Sequence, residues 1–100
     1  MRILAIDDDP AALDYLEQTF GGAHRIHRVG NGASGIAALQ QQPFDLVLLD
    51  LCMPQLDGFG VLQQLQNLPD APPVIVLTGV DTASAAVRAL GLGACDYLVK

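Results

Sequence analysis

A chain of 100 residues is long enough for one hydrophobic core and too short for two. With 51% apolar and 16% charged residues it has a globular composition, and its net charge of -6 argues against direct nucleic-acid binding, which needs a basic patch for phosphates. No apolar run reaches membrane-spanning length, and Met1-Arg2-Ile3-Leu4-Ala5-Ile6 running into three aspartates does not fit a secretory leader. The expectation is a cytoplasmic protein with no membrane contact. Cys52 and Cys95 follow no metal-site spacing and read as reduced packing residues.

Residues 2–6 read as a first strand that ends at Asp7-Asp8-Asp9. Asp9 as N-cap and Pro10 at the first helical position then open a helix. It carries Leu13, Leu16 and Phe20 on one face and stops at Gly21-Gly22. Residues 25–29 form a polar, edge-type strand. After an Asn31-Gly32 turn, a helix over residues 34–42 points Ile36 and Leu39 inward. Residues 44–49 make a third strand closed by Asp50. A helix from Asp57-Gly58 carries Phe59, Leu62 and Leu65, and residues 74–77 make a fourth strand closed by Thr78. The fourth helix follows Asp81, with Ala83, Ala86, Val87 and Leu90 at the i, i+3, i+4, i+7 spacing of a half-buried helix. Tyr97-Leu98-Val99 is a fifth strand, closed by Lys100.

This strict alternation predicts an α/β fold, a flavodoxin-like doubly wound five-stranded parallel sheet with right-handed crossovers. Residues 46–49 and 74–77 are continuously apolar, as strands covered on both faces are. The strand order expected is 2-1-3-4-5. Helices 2 to 4 then cover one face and helix 1 stands alone on the other. The chain is therefore expected to be C-terminally incomplete, lacking a final helix and pairing as a homodimer through the bare face.

In such a sheet the strand ends lie along one edge, where ligands bind at the switch in strand order. Asp7, Asp8, Asp50, Thr78 and Lys100 would converge there. Carboxylates facing one ammonium suit a hard cation and a phosphoryl group, because carboxylate oxygens bind Mg²⁺ and Lys neutralises phosphoryl oxygens.

Four segments in register, Ile6-Asp7-Asp8-Asp9-Pro10, Asp50-Leu51-Cys52-Met53-Pro54-Gln55-Leu56-Asp57-Gly58, Leu77-Thr78-Gly79 and Gly93-Ala94-Cys95-Asp96-Tyr97-Leu98-Val99-Lys100, resemble the receiver domain of two-component response regulators. The resemblance runs over the whole chain, residues 1–100. It implies that Asp50 is the phosphoacceptor, taking a phosphoryl group from a histidine kinase or phosphotransfer protein. Asp8 and Asp50 would bind Mg²⁺ directly, the backbone carbonyl of Cys52 would be a third protein ligand, and Asp7 would act through water. Thr78 and Lys100 would contact phosphoryl oxygens, and Thr78 with Tyr97 would form the switch that drives an unseen C-terminal output domain or partner.

Two departures stand out: neither the family's usual Pro nor its fifth helix follows Lys100, and Gly79 stands where Ala is usual. Cys52 and Val80, two residues beyond the acceptor and Thr78, are poor at orienting water, which implies slow self-dephosphorylation. Asp57 reads as a helix N-cap, and His24 and His27 are assigned no role. Such a domain is no enzyme beyond its own phosphorylation and dephosphorylation. The alternatives are a Mg²⁺-dependent phosphatase with an Asp nucleophile, against which the missing Thr of its D-x-D-x-[TV] motif speaks, and a pseudo-receiver serving only in dimerisation.

Overall fold

Strands with no polar side chain facing outward must be covered on both faces, and the centre of this sheet is built from such runs. The computed structural model describes residues 1–51, 58–79 and 81–100. Strands β1 (Arg2–Ile6), β2 (Arg25–Val29), β3 (Leu46–Leu49), β4 (Val74–Thr78) and β5 (Asp96–Val99) alternate with helices α1 (Pro10–Phe20), α2 (Gly32–Gln41), α3 (Gly58–Gln66) and α4 (Ala83–Gly91). The sheet is parallel throughout, in the order β2-β1-β3-β4-β5. Ile6 lies between Val29 and Leu49, Leu49 pairs with Val76, and Thr78 pairs with Val99. The strand ends therefore fall on one edge in register.

Side chains alternate between the two faces of each strand, and two core clusters result. On one face Leu4, Ile6, Val47, Leu49, Val74 and Val76 pack with Ala38 of α2, Val61, Leu62 and Leu65 of α3, and Ala89 of α4. On the other, Ile3, Ala5 and Leu48 pack with Leu13 and Leu16 of α1. Ile75 and Leu77 of β4 are only partly buried there, and Tyr15, Leu98 and Val99 are exposed. The asymmetry expected from the sequence, three helices on one face and α1 on the other, is present among the described residues.

The expected element order and types hold, and four details differ. Helix α2 begins at Gly32 because Asn31 is its N-cap, Oδ1 accepting from the Ser34 amide at 2.8 Å, where a separate turn was expected. Helix α4 turns a different face inward. Its buried residues are Ala85 and Ala89, whereas Val87 and Leu90 are exposed. The small residues face the sheet because their methyl groups admit a close approach of the helix backbone, and the larger apolar side chains face outward. Phe20, expected inward, is 41% exposed at the last turn of α1, where Gly21 ends the helix. Cys95 is exposed and so is not the packing residue expected. Cys52, Asp57 and Val80 lie outside the described residues.

The start of α3 depends on close backbone contact. A Cβ built on Gly58 would lie 2.4 Å from Leu51 Cα and 2.8 Å from its carbonyl oxygen, so the helix can sit against the residue after Asp50 only as glycine. A Cβ on Gly60, in the same helix, would meet nothing within 4 Å. Gly58→Ala should therefore destabilise by about 1–3 kcal/mol, the usual cost of forcing atoms into a packed site. Gly60→Ala should stabilise by about 0.5–1 kcal/mol, the helix-propensity difference. Urea midpoints of the two variants should move in opposite directions, and equal shifts would contradict this packing.

Candidate functional site

The site lies where β1 and β3 end side by side. Chain direction after β1 is set locally: the Asp9 amide donates to Asp7 Oδ1 at 3.0 Å, and Asp9 Oδ1 in turn accepts from the Ala11 amide at 3.0 Å as the cap of α1. Pro10 at the first helical position completes that start. On the other side the Asp50 amide donates to the Ile6 carbonyl at 3.0 Å, which extends the β1–β3 ladder by one residue and sets Asp50 beside the Asp7–Asp8 pair. Asp7 and Asp50 are 4% and 6% exposed, whereas Asp8 is exposed.

Asp7, Asp8 and Asp50 each present a carboxylate oxygen within 4.8 Å of the other two. Lys100 closes the group: its Nζ donates to Asp7 Oδ2 at 2.7 Å and to Asp50 Oδ2 at 3.2 Å. Its position is set by the sheet, because its amide continues the β4–β5 ladder onto the Thr78 carbonyl at 2.8 Å. Thr78, fully buried, ends β4, the strand next to β3. Tyr97 is half-buried on β5, packed against the core on the α2–α4 side. Asp7, Asp8, Asp50, Thr78 and Lys100 are thus brought to one edge, Tyr97 lies within β5 beside Val76, and Cys52 is not among the described residues. The Asp9 amide joins these residues, in the Asx-turn pattern of an amide two residues after an Asp.

Charge explains the titration. Burial raises the Asp7 pKa above its ordinary 3.8; the Lys100 and Asp9 hydrogen bonds offset part of this, and the charge of Asp50 adds to it. Burial works against the Lys100 ammonium as well. The hydrogen bonds to Asp7 and Asp50 and their negative charges outweigh it, so the Lys100 pKa is raised. Three close carboxylates with one ammonium leave surplus negative charge, and oxygen-only donors of that kind fit a hard divalent cation.

The family model described as "Response regulator receiver domain" matches residues 3–100. The chain belongs to the response regulator receiver domain family. Over its whole length this receiver domain is 37% identical to "Response regulator MprA" of Mycobacterium leprae and 42% identical to "Transcriptional regulatory protein QseB" of Haemophilus influenzae. It spans 44% and 46% of those two proteins, less than half of each. A solved structure, "Crystal structure of the Mn(2+)-bound form of response regulator Rcp1", superposes with a TM-score of 0.88 at 29% identity, covering 99% of this receiver domain and 80% of that chain. Among the described residues no helix is long and apolar enough to cross a membrane.

The raised Asp7 pKa sets a pH dependence in metal-free protein. The folded state favours the protonated acid, so this stabilisation is full below 3.8 and is lost as pH rises through the raised value. A divalent cation held by these carboxylates would relieve the repulsion that then remains and would compete with the proton. Adding Mg²⁺ should therefore raise the melting temperature more at pH 7 than at pH 4. Equal increments at the two pH values would contradict the coupling.

Proposed function

We propose that Asp50 is the phosphoacceptor of this receiver domain. The observation that carries the reading is a buried carboxylate at the end of central strand β3, held by the same ammonium as Asp7 and within 4.8 Å of two more carboxylates. An Asp50 oxygen attacks the phosphorus of a phosphohistidine on a histidine kinase or phosphotransfer protein. The new O–P bond forms as the N–P bond breaks, and the departing imidazole nitrogen takes a proton from solvent. Lys100 leaves its carboxylate partners to contact one phosphoryl oxygen, and the Thr78 hydroxyl donates to another.

In this reading Asp8, Asp50 and the backbone carbonyl of Cys52 would hold Mg²⁺ directly, and Asp7 would act through water. Bound Mg²⁺ would supply positive charge against the phosphoryl oxygens. The donor chemistry of the acidic group supports this, as does the Mn²⁺-bound state of Rcp1. Thr78 and Tyr97 are the switch: as Thr78 is drawn toward the phosphoryl group, Tyr97 turns inward and the surface around β5 changes. The domain acts as one unit over residues 1–100, in the cytoplasm, and its catalysis is confined to its own phosphorylation and dephosphorylation. The output lies in a C-terminal domain or partner, consistent with relatives more than twice its length.

With Mg²⁺ and acetyl phosphate, the wild-type chain should acquire a stable label approaching one phosphoryl group per chain. Asp50→Asn, isosteric but not nucleophilic, should fold and remain unlabelled. Equal labelling of the variant would reject Asp50, and continuous turnover of acetyl phosphate would indicate a phosphatase instead.

The homodimer is assigned to the thinly covered face. There Ala12, Tyr15, Leu16, Leu77, Val99 and Lys100 line a groove of about 450 Å³. Apolar surface of this kind drives association. Sedimentation equilibrium should show dimers of the chain that dissociate in Val99→Glu; a monomeric wild type would contradict the assignment.

A further inference from the structure

Helix α4 is held to the sheet by little. Its buried side chains are Ala85 and Ala89, which remove far less apolar surface from water than Val61, Leu62 and Leu65 do for α3. A second contact ties α4 sideways. The Arg88 guanidinium carbon lies 4.1 Å from the centroid of the Phe59 ring, well inside the ~6 Å over which a cation is attracted to a ring face. Arg88 is otherwise exposed and Phe59 is half-buried.

Both ends of this contact lead back to the acidic pocket. Phe59 follows Gly58, whose amide donates to the Leu51 carbonyl at 3.3 Å and whose Cα is seated against Leu51 too closely for a Cβ. Leu51 follows Asp50 in the chain. On the other side, Thr82 caps α4, its Oγ1 accepting from the Ala85 amide at 3.2 Å, and stands four residues after Thr78. The α3 end of the contact is therefore held against the backbone of Leu51, the residue after the proposed acceptor. The α4 end is tied by a short connection to the hydroxyl at the end of β4.

We propose that the Arg88–Phe59 pair is a latch that holds α4 in the unphosphorylated arrangement and so opposes occupancy of Asp50. The inference rests on Asp50 being the acceptor. A phosphoryl group draws the Thr78 hydroxyl, and the displacement passes through Thr82 into α4. Helix α3 cannot follow, because Gly58 abuts the Leu51 backbone. Arg88 is drawn off Phe59, and the lost stacking energy opposes phosphorylation. Arg88 is thus a positioning residue: it touches neither metal nor phosphoryl group, and it sets how readily α4, with Val87 and Leu90 on its exposed side, responds to them.

The test uses the 100-residue chain with Mg²⁺ and beryllofluoride, a phosphoryl mimic, titrated calorimetrically. Arg88→Gln removes the cation and Phe59→Leu removes the ring while keeping apolar bulk. Each should tighten beryllofluoride binding by roughly two- to five-fold, the worth of an exposed cation–π contact. The double variant should gain no more than either single one, since both remove the same contact. Arg88→Lys should bind like wild type. Without ligand, hydrogen exchange of α4 amides should be faster in Arg88→Gln and unchanged in α3. Unchanged or weaker binding in the single variants, or additive gains in the double one, overturns the latch while the acceptor assignment stands. Wild-type protein that fails to bind beryllofluoride overturns both, and accelerated exchange would then show that the contact holds α4 without serving phosphorylation.

Discussion

The Lys100 ammonium, shared between Asp7 and Asp50, is the interaction on which the site depends. Two carboxylates that are almost fully buried, with a third beside them, repel one another and have lost most of their hydration. The ammonium supplies the missing counter-charge from inside the protein. Because its stabilising partners are also the groups proposed to take a metal and a phosphoryl group, it would act in that proposal as a placeholder, and binding would exchange one cation arrangement for another. The resting site can thus be stable and yet ready to be remade.

The sheet positions this arrangement with little further ordering. Asp7, Asp50, Thr78 and Lys100 each follow or end a strand whose register is set by the apolar core, so these four are placed by the sheet itself. The same core is uneven. Three helices pack one face, while α1 serves the other, and α4 rests on two alanines and a stacked arginine. Burial is deep in β1, β3 and α3, the elements next to the acidic pocket. The parts proposed to move, α4 and the surface around β5, bury little: two alanines in α4 and no fully buried residue in β5.

Most of the site was legible in the sequence because it lies at strand ends, and strands with continuous apolar runs announce themselves. Asp7, Asp8, Asp50 and Lys100 group at strand ends on sequence grounds alone, and the alternation of elements points to a parallel sheet, whereas the order 2-1-3-4-5 is the one known for the family the chain resembles. Packing could not be read in the same way. The i, i+3, i+4, i+7 spacing of Ala83, Ala86, Val87 and Leu90 chose the wrong face of α4, because the buried positions are alanines whose hydrophobic signal is weaker than that of Val87 and Leu90. The Arg88–Phe59 stack joins residues far apart in sequence through no shared motif. Asn31 carries a turn signal but serves as a cap, and the two uses of its side-chain hydrogen bond are told apart only by whether a helix begins at the next residue.

Lys100 is the chain's one lysine, so its side-chain resonance can be followed by NMR without assignment. Titrated in the absence of divalent cations, it should show a pKa above its ordinary 10.5, returning toward that value in Asp7→Asn and Asp50→Asn. A value at or below 10.5 that neither substitution alters would mean that Lys100 is not the counter-charge of the acidic pocket.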